Sequence, residues 1–336
     1  MILTNKLNNE ESINVIKKTS LRRLTVSFYN YCEIKNCEIF RNFLFKELKN
    51  LNVLGRIYVS KEGINAQLSV PEKKLKNLSY FLKEISFLKE ININIGIEHD
   101  NFSFLKLKIK IKSKIVADGL SASELNLKKR GKHVDAKEFN NLLKSNETVT
   151  IDMRNHYESK IGHFEGAFLP DVDTFKQSLP FVYNKIKKFK TTKQVLMYCT
   201  GGIRCEKASS YFIKKGFKNV YQLRGGIINY TNQTRREKIE NLFVGKNFVF
   251  DNRLSERISE KIISNCDQCK NKCDSYTNCS NEACHLLFIQ CKRCKKKFSG
   301  CCSLECQEIY SMPENIRRNL RKNTKSCKTF TKGRFN

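Results

Sequence analysis

The stretch Tyr198-Cys199-Thr200-Gly201-Gly202-Ile203-Arg204-Cys205-Glu206-Lys207-Ala208 holds the residue types best suited to covalent chemistry. The apolar run Gln194–Cys199 reads as a short strand and Lys207–Lys215 as a helix, so Cys199 lies on a strand–loop–helix with paired glycines. Glycines let backbone N–H groups turn inward, and with the N-terminus of the next helix they form a cradle for negative charge. A cysteine at the lip of such a cradle is drawn below its ordinary pKa of about 8.5 and becomes thiolate near neutral pH. Arg204 adds a fixed positive charge that would stabilise an anion in the loop. Cys199 is therefore expected to be a reactive nucleophile, supported by Thr200, Gly201, Gly202 and Ile203. Cys205 is read as a small hydrophobe that begins the helix and points inward. Its alternative role is a second thiol that resolves an oxidised Cys199 as a disulfide.

A second group of reactive side chains lies near the C-terminus. Of the 15 cysteines, only Cys32, Cys37, Cys199 and Cys205 precede residue 260. Cys266, Cys269, Cys273, Cys279, Cys284, Cys291, Cys294, Cys301, Cys302 and Cys306 offer enough ligands for two tetrahedral sites. The C-x2-C pairs, Cys266/Cys269 and Cys291/Cys294, let both thiolates reach one ion, and a short segment poor in large apolar residues needs such a staple. Structural zinc is the expected metal, iron–sulfur is its competitor, and unligated thiols are the remaining reading. Spacing alone does not pair the ligands.

The elements that must carry these residues follow from periodicity. Leu24–Tyr29, Arg56–Ser60 and Ala66–Val70 read as strands, and Cys37–Leu48 and Glu72–Ile85 as helices. With further strands around Ile91–Ile97 and Phe104–Ile111, the order is βαββαβ, an α+β sandwich of the ferredoxin/acylphosphatase-like kind. In the last strand Leu105, Leu107, Ile109 and Ile111 alternate with Lys106, Lys108, Lys110 and Lys112. One face is apolar and the other is a ladder of ammonium groups, either a phosphate-binding stripe or a solvated sheet face. From Thr148 short strands alternate with helices, which implies a parallel sheet covered on both faces. The expected division is an α+β domain over 1–118, a connector over 119–144, an α/β domain over 145–240, a cysteine-rich domain over 241–310 and a basic flexible tail over 311–336.

The composition limits the setting. At 336 residues the chain is long enough for two or three domains, and 40% hydrophobic with 29% charged residues excludes full disorder. No uninterrupted apolar run approaches the roughly 18 residues of a membrane span. The N-terminus shows no signal peptide, so the chain is expected in the cytoplasm, where thiols stay reduced. Lys and Arg number 63 against 33 Asp and Glu, a net charge of +30 that favours polyanionic partners. A Lys-, Asn- and Ile-rich chain without Trp also fits an AT-rich genome.

The Cys199 loop, together with Asp152-Met153-Arg154-Asn155, Gly162-His163-Phe164-Glu165-Gly166-Ala167 and Leu223-Arg224-Gly225-Gly226, resembles a rhodanese domain. Rhodanese loops carry a persulfide on the cysteine that corresponds to Cys199. Four residues separate Cys199 from Arg204, one fewer than in the related cysteine phosphatases, which argues against phosphate-ester chemistry. The resemblance implies that Asp152 and Arg154 brace the loop and that His163 sits in a structural turn. Lys61-Glu62-Gly63-Ile64-Asn65-Ala66, the Cys199 loop and the C-terminal cysteines occur in the order found in bacterial oxygen-dependent tRNA uridine hydroxylases. That resemblance implies 5-hydroxylation of the wobble uridine, with molecular oxygen and an unidentified reductant as co-substrates. tRNA is then the expected partner, with no membrane and no stable protein partner. The alternatives are a persulfide sulfurtransferase acting on a small acceptor or in tRNA thiolation, and an RNA-binding platform, which the intact loop disfavours. No dinucleotide fingerprint, flavin motif or 2-His-1-carboxylate pattern accompanies the loop. The thiolate either adds to uracil C6 and makes C5 nucleophilic, or carries an oxidised or persulfide sulfur.

Overall fold

The computed structural model describes residues 3–5, 7–19, 21–121 and 124–323. A first helix, α1 (Asn9–Thr19), leads into the N-terminal sheet, built from β1 (Arg23–Tyr31), β2 (Leu54–Ser60), β3 (Gly63–Pro71), β4 (Asn94–Ile95) and β5 (Leu107–Ile111), with α2 (Cys37–Asn50) and α3 (Leu75–Glu84) between them. The Asn36 side chain caps α2 by accepting from the Ile39 N–H, and Leu44, Phe45 and Leu48 bury its inner face against the sheet. Strand order is β4-β1-β3-β2-β5. The expected βαββαβ arrangement accounts for the first four strands. Instead of closing that motif, the Lys-rich strand β5 adds a fifth, parallel to β2 at the opposite edge from β4.

The second sheet is parallel, in the order β6-β10-β9-β7, from β6 (Lys132–Val134), β7 (Thr148–Asp152), β9 (Gln194–Tyr198) and β10 (Val220–Leu223). Three helices, α4 (Ala136–Lys144), α6 (Phe175–Ile186) and α7 (Ile203–Lys214), join these strands, α8 (Gly226–Glu237) follows β10, and a one-turn α5 (His156–Ser159) precedes β8 (Gly162–Phe164). Separate apolar clusters form around Val195 and Met197 and around Leu196 and Tyr198, as alternating side chains of a central strand require. The segment 119–144, expected as a connector, is one only in its first half, because β6 pairs with β10 and the Asp135-capped α4 packs beside β7.

The cysteine-rich domain expected from residue 241 is not a separate body. Here β11 (Phe243–Phe248) pairs with β8 on one side and β12 (Ser255–Arg257) on the other, so the third domain shares a sheet with the second. Beyond it, β13 (Tyr276–Asn278) and β14 (Leu287–Ile289) form a hairpin, followed by α9 (Lys292–Lys297), α10 (Leu304–Ser311) and α11 (Glu314–Asn323). Part of the stretch expected as a flexible tail is thus helical, and 324–336 lie outside the described residues. No described helix is long and apolar enough to cross a membrane.

Candidate active site

The backbone of Cys199 is tied to the start of α8, whose Ile227 and Ile228 N–H groups donate to the carbonyls of Cys199 and Thr200 at 3.0 and 3.2 Å. This contact requires glycine at 226. Its φ is +64°, and a Cβ there would stand 2.4 Å from the Cys199 carbonyl oxygen. Gly202, at φ +98°, opens α7 and turns its N–H onto the Cys199 Sγ at 3.2 Å. The start of α7 therefore faces the buried sulfur, while the start of α8 holds the backbone of the loop.

Burial alone would raise the Cys199 thiol. A hydrogen bond from the Cys205 thiol, the Arg204 charge and the N–H groups of Arg204 and Cys205 outweigh it and bring the pKa to about 6. Burial and the same hydrogen bond push Cys205 well up, so it remains the thiol donor of the pair. Cys205 is fully buried, as a packing role requires, yet it also touches the sulfur it would have to resolve.

Arg204 is less free than the loop sequence implies. Its guanidinium grips Glu158 through two contacts of 2.5 and 2.7 Å, with Thr200 Oγ1 3.4 Å away. Glu158 lies on α5 and also accepts from the Asn155 N–H at 3.0 Å. Sequence spacing carried no sign of this pair, because 46 residues separate its members. Asp152 and Arg154 form a fully buried pair, 2.6 Å at the closest, and Arg154 also donates to the Gly162 carbonyl at 2.6 Å. His163 sits on β8, with its Nδ1 2.9 Å from the Ser159 carbonyl oxygen.

The N-terminal sheet roofs the loop. Tyr31 donates to the Ile203 carbonyl at 3.1 Å, and Tyr29 donates to Glu206 at 2.9 Å. Glu206 also meets His133 at 2.8 Å and Arg130 at 3.2 Å. Burial would raise its carboxyl, but these partners hold it below the ordinary value. Between roof and loop lies a cleft of about 360 Å³, lined by Ser27, Tyr29, Arg56, Tyr58, Asn65 and Gln67 from the sheet and by Cys199, Thr200, Gly201, Ile203 and Arg204 from the loop. Phe250, Arg253 and Glu256 close it from the third domain.

Strand register explains why these sheet residues share a face. Gln67 stands between Ser27 and Arg56, and Asn65 between Tyr29 and Tyr58. Arg56 and Tyr58 pair in turn with Lys108 and Lys110. The lysine ladder is therefore the outward continuation of the cleft roof. Lys108 and Lys110 are exposed, and Lys106, just before the strand, is half-buried.

Eight of the ten candidate ligand cysteines gather in two groups whose sulfurs all lie within 4.8 Å of one another: Cys266, Cys269, Cys291 and Cys294, and Cys279, Cys284, Cys302 and Cys306. Either group can hold a metal ion. Cys273 and Cys301 stand outside both groups, each buried in the apolar cluster beside one. The first group joins the two C-x2-C pairs, whereas the second is built from isolated cysteines that only the fold collects.

Residues 23–115 match the family described as UPF0176 acylphosphatase like domain, residues 135–233 the Rhodanese-like domain, and residues 244–307 the Rhodanase C-terminal family. The tRNA uridine(34) hydroxylase of Photorhabdus laumondii is 44% identical over 335 residues, covering 99% of this chain and 95% of that protein. The protein of the same name from Leptospira interrogans is 46% identical, covering 91% of this chain and 83% of its own length. That of Yersinia pestis is 42% identical over 95% of this chain and 90% of the relative. With such identity running through all three domains, the chain belongs to the tRNA uridine(34) hydroxylase family.

Proposed function

We propose that this chain hydroxylates C5 of the wobble uridine of tRNA, with Cys199 as the nucleophile and the roof of the cleft as the holder of the flipped-out base. The observation that carries this reading is a thiol held near pKa 6 at the floor of a cleft that continues into an exposed row of lysines. A thiolate there can add to C6 of a uracil ring, which moves electron density onto C5. Oxygen is then reduced as C5 is hydroxylated: uridine, O2, two electrons and two protons give 5-hydroxyuridine and water. The electrons come from a reductant outside the chain. Loss of the C5 proton together with the thiolate on C6 restores the C5–C6 double bond and frees Cys199. Arg204, tied to Glu158, and Cys205 hold the sulfur ionised between turnovers. The hydroxylase name of the relatives does not favour the sulfurtransferase alternative.

The two cysteine groups are read as structural zinc sites. Their closest sulfurs are 3.6–3.7 Å apart. Four thiolates about 2.3 Å from one zinc stand nearly that far apart, whereas the terminal thiolates of a four-iron cube stand farther. Four protein ligands per ion leave no open position for substrate, so zinc would staple the third domain against α5 and β8. A tRNA substrate supports a cytoplasmic setting.

The deciding experiment is nucleoside mass spectrometry of tRNA incubated with the protein, oxygen and a reductant. It should show 5-hydroxyuridine at the wobble position, and Cys199→Ser should reduce it by about a thousandfold or more. Full activity of that variant would overturn the nucleophile, and absence of the product with the wild type would overturn the reaction.

A further inference from the structure

A second depression, of about 630 Å³, adjoins the cleft and shares two of its walls, Tyr58 and Ile115. Lys112, Lys114 and Lys176 line it, and no carboxylate does among the described residues. Lys112 follows the last residue of β5. Its N–H donates to the Val59 carbonyl at 2.9 Å, and its ammonium lies 5.9 Å from the centre of the Tyr58 ring. Lys176 comes from the other domain, in the first turn of α6. Its stem lies across Gly119, where a Cβ would stand 2.5 Å from the Lys176 Cγ. Two domains thus bring cations to one hollow beside the cleft.

Their pairing separates the three lysines. Lys114 is neutralised by Asp118 at 2.5 Å. Lys112 and Lys176 are exposed and pair with no carboxylate among the described residues. A cation in the first turn of a helix opposes the macrodipole, so Lys176 gains nothing from its own helix. Two unpaired ammonium groups around one hollow repel each other, and an anion seated between them removes that repulsion.

A base flipped into the cleft keeps its ribose and the two phosphates that flank it, and these must pass one of the cleft walls. Beyond the wall made by Tyr58 and Ile115 lie the two unpaired lysines. We propose that Lys112 and Lys176 form a phosphate subsite that takes one of the two backbone phosphates flanking the flipped nucleotide. This rests on the reading of the cleft as the uridine site. The subsite differs from the row of Lys108 and Lys110 in drawing on both domains, so it closes on the RNA only where the two meet.

The test measures binding alone, on a Cys199→Ser background, with anticodon stem-loops in which single phosphates are replaced by uncharged methylphosphonates. Neutralising the phosphate that occupies the subsite, on the 5′ or the 3′ side of the wobble nucleotide, should cost the parent protein about tenfold in affinity. The Lys112→Gln, Lys176→Gln double variant should bind the unmodified loop about tenfold more weakly and be indifferent to that replacement. A methylphosphonate in the stem should affect both proteins equally. The slope of log affinity against log salt should fall by about 0.7 in the double variant, the value of one phosphate. The thermal midpoint checks that the double variant keeps its fold. No penalty at either flanking position in the parent, or the same penalties in parent and double variant, would overturn the subsite. An abasic wobble nucleotide should weaken binding to both proteins. Unweakened binding with the methylphosphonate pattern intact would overturn the cleft as the uridine site and leave the phosphate subsite standing.

Discussion

The ammonium of Lys207 lies 2.9 Å from both carboxylate oxygens of Glu62, although 145 residues separate them. It also meets Asp118 at 2.5 Å and the Val116 carbonyl at 3.2 Å, with its own side chain fully buried. The turn that begins β3 is thereby locked to the helix that follows the Cys199 loop. Lys207→Met removes the buried cation and leaves Asp118 beside Glu62 with Lys114 as its remaining ammonium partner. Removing one partner of a buried pair costs roughly 3–5 kcal/mol, and Lys114 offsets part of that. Urea unfolding should show that loss, and a difference below about 1 kcal/mol would mean that water replaces the ammonium.

The same lock has a pH signature. Burial would raise the Asp118 carboxyl, but Lys114 and Lys207 bring it below its ordinary 3.8. Its stabilising contribution is complete above that value and is lost as pH falls through the folded pKa. In Lys207→Met the acid-induced loss should begin at a higher pH. Coincident acid unfolding curves for the two proteins would reject this assignment.

The Cys199 thiol should ionise near pH 6, followed by thiolate ultraviolet absorbance with Cys199→Ser as the blank. Because the folded value lies below the ordinary value of about 8.5, thiolate formation adds stability as pH rises from about 6, in full above about 8.5, and the gain is lost as pH falls through 6. Cys205→Ala removes a donor to the sulfur and should raise the midpoint, while Cys205→Ser supplies a hydroxyl and should raise it less. A midpoint unmoved by Cys205→Ala would assign the ionisation to Arg204 and the backbone.

Local features were legible from residue order. Strand alternation, the glycine-rich turn after a strand and the C-x2-C pairs repeat over a few positions, so they marked β1 to β3, the Cys199 loop and the two C-x2-C pairs, whose joining in one group only the fold reveals. Longer relations were not. Nothing at Glu158 marks it as the partner of Arg204, because a lone carboxylate after an N-cap reads as a capping residue, which it also is. Lys61-Glu62-Gly63 and Glu206-Lys207-Ala208 stood out separately, and only the packed domains reveal that Glu62 answers Lys207. The alternation in β5 gave the lysines a common face, but the parallel pairing with β2 made that face the cleft roof.

If both cysteine groups hold zinc, purified protein should carry two colourless ions per chain, matching the two groups of four thiols. Cys294→Ser should lose one of them, and Cys273→Ser, outside both groups, should keep both. Chelation should loosen 266–306 before the parallel sheet, read as early proteolysis within that range. Charge-transfer colour, or full metal content in Cys294→Ser, would reject the ligand set.

The last prediction concerns how a folded RNA reaches the cleft. A tRNA is held through its backbone phosphates while one base is extruded into the site. Lys108 and Lys110 extend the cleft roof by direct pairing with Arg56 and Tyr58, so a base seated below would leave its flanking phosphates near that row. Changing Lys106, Lys108 and Lys110 together to Gln should weaken tRNA binding and reduce the slope of log affinity against log salt by about 0.7–0.9 per lost contact. Lys106 is half-buried and should contribute least, so Lys106→Gln alone should leave the slope nearly unchanged. The ionisation of Cys199 should not move in the triple variant, because none of these lysines is among the groups that shift it. An unaltered salt slope with unaltered affinity would make the row a solvated sheet face, and the phosphate grip would then have to lie elsewhere on this basic chain.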